Sequence, residues 1–429
     1  MSPQEQSANE QHGIIPPPRG PRRPRAYPRK DSTVNKLLAA VEQHFVEVDG
    51  RIYTDIAFDY AYWSEYLAVF NEVEPIARVR PAERVPEGWL RADGPHVRFH
   101  KVYDYLGFWH FLRCFPRVLG DCRRATREKA AVLLQVGNIA QMCWLHLLLA
   151  RRPYAFEVVG HPAEASRPVK NVQILGLNRV IGFVGFQLCR AQAARAACAS
   201  YVSNYLQTVF PTRSGREWVF SNVKLPESEF RTPRPAGTFE HVPKHILSVG
   251  RVEPEKGHHV LVQAVAELKR RGEDRLRLDI VGPGREIEPL RRLCQQWGVA
   301  ERVRILGFVS PGEPFQALMD QADLFVLPSF TEGMPRALLE AMARGTPAVG
   351  SHAGGIIEVL PEDCLVPPGD ASALADKIAD VLASPARLAE MSRRNVEIAR
   401  RFHQDTMNQR KHEFWRCIWE TQASARVSR

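Results

Sequence analysis

The sequence has no uninterrupted apolar run of the roughly 18–20 residues that a membrane-spanning helix needs. Its first residues, MSPQEQSANEQHG, show neither the basic start nor the apolar core of a secretory signal, so a cytoplasmic protein is expected. Eight cysteines, at 114, 122, 143, 189, 198, 294, 364 and 417, form no Cys-x-x-Cys pair. Several sit in apolar or amphipathic segments, where a free thiol packs as a small hydrophobe, which excludes a zinc ribbon or a disulfide frame. The fourteen histidines form no HExxH or other ligand cluster. No metal and no bound cofactor are expected. No repeat of 20–50 residues recurs, which sets solenoids and propellers aside. Acidic residues are missing altogether from 165 to 216, where seven Lys and Arg stand. Such a stretch suits an anionic membrane surface or a lipid pyrophosphate, with peripheral attachment at the inner membrane as the corresponding expectation.

What is present is an ordinary globular composition, 45% hydrophobic and 25% charged over 429 residues, enough for two domains with their own cores. Residues 1–35 read as a disordered, basic, proline-rich tail. The tail lacks interleaved aromatics and no recognition motif follows it, so no nucleic-acid partner is expected. From 36 to 225, strand-like runs (VEVDGRIYTD, VEPIARVR, VRFHKVY, KAAVLLQVG, AFEVV) alternate with helical spacing, which indicates a parallel sheet covered on both faces. A proline-rich stretch around 226–242 reads as a linker. A second strand–helix alternation fills 243–405, and 406–429 reads as an amphipathic helix with Phe414, Trp415 and Trp419 on its apolar side.

Residues 322–350, ADLFVLPSFTEGMPRALLEAMARGTPAVG, carry the densest chemistry. LFVLP reads as a buried strand stopped by Pro328, followed by a turn and a helix entered at Pro335 and ended by Gly345. Free backbone N–H groups at such a helix start suit phosphate or sugar oxygens. Glu332 in the loop and Glu340 on the helix are expected to point into one crevice at the carboxyl end of the strand. The competing interpretation is a well-capped helix with two solvated carboxylates. Upstream, VGRVEPEKGHH places Arg251 and Lys256 in a loop between a buried strand and a helix, where a planar fork and a point charge reach one pyrophosphate.

Together, E-G-M-P-x4-E-A-M-A-x-G-x-P and G-R-x4-K-G (Gly250, Arg251, Lys256, Gly257) resemble the GT-B glycosyltransferases, in particular the retaining family 4. The resemblance implies an α/β fold of two Rossmann-like, doubly wound domains facing across a cleft, with a C-terminal helix crossing back to the first domain. It implies sugar transfer from a UDP- or GDP-sugar donor to a glycan or lipid-linked acceptor hydroxyl, with retention and without an essential metal, as in bacterial exopolysaccharide synthesis. By the same resemblance Arg251 and Lys256 stabilise the departing diphosphate and Glu332 binds the donor sugar. Gly333, Met334 and Pro335 line the sugar and phosphate pocket, and Glu340 accepts from the ribose. The base lies near Gly307, Phe308 and Val309, and Gly282 belongs to a second glycine turn, VGPG. His161, in FEVVGHP, stands where family members carry a histidine facing the anomeric centre, although Pro162 departs from their pattern. The family's glycine-rich first loop is replaced by DIAFDYAYWSEYL. A degenerate transferase acting as a scaffold in a polysaccharide assembly complex is the rival expectation.

Overall fold

Apolar runs without the alternation of a half-exposed strand become the central strands of two sheets. The computed structural model describes residues 35–427, apart from 56–57, 161–176 and 311. The tail at 1–34, residues 165–176 of the acid-free stretch and His161 lie outside the described residues.

The first sheet contains β1 (Lys36–Val48), β2 (Arg51–Thr54), β3 (Glu72–Pro81), β4 (Leu90–Arg91), β5 (His100–Tyr103), β6 (Ala131–Gln135), β7 (Ala155–Val158), β8 (Cys198–Tyr201) and β9 (Glu217–Val219). Its helices are α1 (Tyr60–Glu65), α2 (Gly107–Thr126), α3 (Asn138–Leu149), α4 (Leu177–Arg195) and α5 (Asn204–Val209). The parallel strands run β5-β3-β1-β6-β7-β8-β9, while β2 and β4 add antiparallel pairs beside the far end of β1. That antiparallel edge departs from the purely parallel sheet expected. The first strand also begins ten residues before the VEVDG run, because Leu37 to Val41 are all buried as a central strand before the register shift between Ala40 and His44.

The second sheet orders β12 (Val303–Gly307), β11 (Leu276–Val281), β10 (Lys244–Val249), β13 (Leu324–Leu327), β14 (Ala348–Ser351) and β15 (Leu365–Val366), all parallel. It carries α6 (His258–Arg270), α7 (Ile287–Gln296), α8 (Glu313–Gln321), α9 (Arg336–Ala343), α10 (Ala371–Leu382) and α11 (Pro385–Arg400). Strand order reverses between β10 and β13, the topological switch point at which open α/β sheets bind ligands. The run GGIIEVL forms a short 3-10 helix at Gly354–Glu358.

Each sheet builds its own core. Ile246, Leu247, Phe325 and Val326 centre the second, which also takes Val223, Leu225, Phe230 and Phe239 from the connecting segment. The first sheet has a core on each face. One is covered by α2, α3 and α4, and the other by α1 and the C-terminal α12 (Gln404–Val427). There Phe414, Trp415 and Ile418 are buried, and the Trp415 ring lies 4.5 Å from Tyr66, so the last helix does cross back onto the first sheet.

Candidate active site

The loop after β10 is built by backbone fitted against backbone. Gly250 N donates to Val281 O at 2.9 Å and Val252 N to Pro283 O at 2.8 Å, which lays the G-R-V segment along the VGPG turn. A Cβ on Gly282 would stand 2.0 Å from Gly250 O, and one on Gly284 2.1 Å from Val252 O, so the turn needs both glycines for this approach. Gly257, at φ +67°, ends the 3-10 turn Pro254–Lys256 and opens α6 where a side chain would strike Pro328 O. This contact joins the β10 loop to the β13 loop.

Lys256 Nζ donates to Glu332 Oε1 at 2.6 Å, and Ser329 Oγ donates to the same oxygen at 2.8 Å. Two residues expected on one ligand therefore meet across the switch point. Both are largely screened from solvent, so the pair is held where a displaced partner would be costly. Arg251 is exposed, with its guanidinium 3.6 Å from Glu255 Oε1 as its one ion pair among the described residues. Beneath the loop His258 is buried. Loss of solvation drives its imidazole down to about 4, with Lys256 adding repulsion, so the ring is neutral near pH 7.

The E-G-M-P loop rests on Gly354 and Gly355. Cβ atoms there would lie 2.1 Å from Glu332 O and Gly333 O, and Gly355 N donates to Glu332 O at 2.9 Å. Helix α9 follows. Its N-cap is Pro335, which supplies no side-chain oxygen, so the first N–H groups face the loop without a cap. Gly333 lies against the first sheet, where a Cβ would stand 3.0 Å from Val159 O, two residues before His161.

Glu340 does not share Glu332's surroundings. It lines a cleft of about 400 Å³ with Met334 and Arg336, facing Phe58, Asp59, Tyr62, Gln135 and Asn222. Burial raises its carboxyl above the usual range; Arg336 opposes that and Glu229 adds to it. The expectation that both carboxylates point into one crevice thus resolves into an ion-paired Glu332 and a cleft-lining Glu340, one helical turn deeper. Gly307 O accepts from Gly282 N at 2.8 Å, tying the expected base region to the VGPG turn, and Phe308 is exposed beside it. No group of His, Cys, Asp and Glu among the described residues could hold a metal. The wall contributed by the first sheet was not legible in the sequence. Its residues come from five separate segments, and only the bulky aromatic loop hinted at it.

The architecture is that of the GT-B fold. Two solved structures share it across nearly their whole length. Sucrose-phosphate synthase from Thermosynechococcus elongatus aligns with a TM-score of 0.63 at 20% identity, covering 90% of this chain and 99% of that one. Anabaena HepE in complex with UDP-glucose aligns at 0.60 and 19% identity, covering 88% and 98%. Within that class, residues 230–402 match the family of glycosyl transferases group 1. WcaL of Escherichia coli strain K12, a candidate colanic acid biosynthesis glycosyltransferase, is 40% identical over 157 residues. That alignment takes in 34% of this chain and 38% of WcaL.

Proposed function

We propose that this chain transfers a sugar from a UDP- or GDP-sugar to an acceptor hydroxyl, with retention, in the family 4 manner. The observation that carries this reading is the Lys256–Glu332 pair at the switch point of the second sheet, beside the uncapped start of α9. When a nucleotide sugar enters, Lys256 turns to the diphosphate with Arg251, and Glu332 is released to accept from the sugar hydroxyls. The two cations and the α9 N–H groups stabilise charge as it develops on the leaving diphosphate. Glu340 accepts from the ribose. HepE, whose structure holds UDP-glucose, supports a nucleotide-sugar donor, and WcaL supports a polysaccharide pathway.

The acceptor is proposed to be lipid-linked. No helix among the described residues is long and apolar enough to cross a membrane. The three helices on one face of the first sheet instead expose apolar groups among cations. Leu106, Trp109 and Leu112 lie at the start of α2, Leu145, Leu148 and Leu149 on α3, and Val180, Phe183 and Val184 on α4. Burial and the neighbouring guanidiniums of Arg123, Arg152 and Arg127 hold His146 below its ordinary range, which places those cations together at the ends of α2 and α3. Such a face fits an anionic bilayer.

Turnover and binding across UDP- and GDP-sugars, wild type beside Glu332→Ala, test the transferase reading. Turnover of one donor, lost in the variant, supports it. A wild type that binds no donor would leave a scaffold. Sedimentation with vesicles containing phosphatidylglycerol tests the membrane face, and no difference from neutral vesicles would remove it.

A further inference from the structure

Gln135 ends β6 and sits opposite Glu157 of β7 in the parallel register, so both side chains leave the same face of the sheet. Both are almost fully buried, Gln135 at 4% and Glu157 at 3% exposure. Gln135 Nε2 donates to Glu157 Oε2 at 2.6 Å and to Tyr62 Oη at 3.3 Å, and Tyr62 Oη is 3.1 Å from Tyr66 Oη. The amide nitrogen has two hydrogens, and these contacts use both. The carbonyl oxygen Oε1 is then the remaining hydrogen-bonding atom of a side chain that lines the 400 Å³ cleft. A buried amide whose donors are fixed from behind holds its acceptor at one place on the cleft wall.

From this arrangement we infer that Gln135 orients the acceptor: its Oε1 accepts a hydrogen bond from a hydroxyl of the acceptor molecule, and Glu157 is the positioning residue that fixes the amide. The site lies on the wall opposite Met334, Arg336 and Glu340, so an acceptor held there faces the donor half across the cleft. Phe58 adds an apolar surface beside it, its ring 4.8 Å from Tyr62. A sugar presents both a hydroxyl edge and an apolar face, and the wall offers one partner for each. The inference rests on the transferase reading, and the experiment separates the two.

Donor hydrolysis without acceptor and transfer to p-nitrophenyl hexopyranosides are measured for wild type, Gln135→Leu, Glu157→Leu and Glu157→Gln. Gln135→Leu is expected to raise KM for the glycoside by roughly tenfold, the worth of one hydrogen bond, with a smaller effect on donor hydrolysis. Glu157→Leu should reproduce that defect, and Glu157→Gln, which keeps an acceptor oxygen for the amide, should largely restore wild-type behaviour. Because a lone apolar replacement strands a buried partner, the double variant Gln135→Leu/Glu157→Leu removes both polar groups, and its KM should rise equally. An unchanged KM, or parallel loss of hydrolysis and transfer in the double variant, overturns the inference while the transferase reading stands. A wild type that turns over donor but uses none of the glycosides also overturns it. A wild type that neither binds nor turns over any donor defeats the reading itself, and the inference with it.

Discussion

The two sheets have the same kind of switch point and treat it in opposite ways. In the second sheet, the crevice between β10 and β13 is bordered by glycines, two cations and an uncapped helix start. In the first sheet the corresponding place lies between β1 and β6, and Glu42 fills it. Its Oε2 accepts from Ile139 N at 2.9 Å at the start of α3, and its Oε1 takes Tyr105 Oη at 2.9 Å and Arg78 Nη2 at 3.1 Å. Gly137, which begins that helix, would put a Cβ 2.5 Å from the Glu42 Cβ. A carboxylate of the chain itself thus occupies the anion position that the other half leaves open. The same Rossmann geometry is left open or closed into a structural joint according to one acidic side chain.

The largest effect that separates the halves should come from Lys256→Ala. Losing one preorganised cation from a developing diphosphate is expected to lower donor turnover by roughly 100- to 1000-fold, beside a smaller loss of stability, because Glu332 keeps only Ser329 Oγ as a partner among the described residues. Steady-state turnover beside a melting curve reads both, and a loss matched by unfolding would make Lys256 a strut.

A second contrast is acid sensitivity. His258 is neutral in the fold, at about 4, against an ordinary value of 6.5. Its folded value is depressed, so the stability tied to it is complete above pH 6.5 and is lost as pH falls through about 4. The window spans about 2.5 units, or roughly 3 kcal/mol at most. Urea unfolding between pH 7 and 4 should therefore show a slope that His258→Gln flattens, with hydrogen exchange rising first in the β10 loop. Equal slopes in both proteins would mean that other groups govern the acid limb.

These contrasts also explain what could be read in advance. The donor half is legible because its parts are contiguous: Gly250 to Gly257 span one loop, and Glu332 to Glu340 one loop and one turn of helix. The close backbone approaches there permit only glycine at 257, 282, 354 and 355, and so leave a mark in the sequence. What spacing could not show was that Lys256 and Glu332 pair directly, since that depends on β10 lying beside β13. The first half offers no such economy. Gln135 meets Glu157 only through the β6–β7 register, and Tyr62 reaches them from a different segment. Helix α2 was hidden by Pro116 and by arginines that interrupt its apolar pattern, although its buried Val118, Cys122 and Ala125 keep helical spacing. His161 had only family precedent behind it and lies outside the described residues.

Removing the plug sharpens the comparison from the other side. Glu42→Ala removes the ion partner of Arg78, whose side chain is 8% exposed and keeps only Tyr105 among the described residues, and takes the partner from Ile139 N. A loss of about 2–3 kcal/mol is expected, reduced from that of a fully buried pair because Glu42 is itself partly solvated. Donor affinity, measured by titration calorimetry on the folded protein, should stay unchanged, the reverse of Lys256→Ala. A weakened donor affinity without loss of stability would mean that the first switch point takes part in binding after all.

The smallest effect concerns a contact that joins the two halves. Glu358, at the end of the 3-10 helix that carries Gly354 and Gly355, sends its carboxylate to the start of α5 on the first sheet. It accepts from Asn204 N at 2.8 Å, Asn204 Nδ2 at 2.8 Å and Tyr205 N at 2.6 Å. A carboxylate on a helix start contributes about 1 kcal/mol, little for a fold of this size. Its position matters more than its strength, because the same short helix supports the E-G-M-P loop, and an opened cleft admits water to the donor. Glu358→Ala should therefore move the melting temperature by only a degree or two while the ratio of donor hydrolysis to transfer rises roughly two- to threefold. Glu358→Gln, which keeps one acceptor oxygen, should fall between the two. If the ratio holds constant across all three proteins, closure rests on the close approach of Gly333 to Val159 and not on this carboxylate.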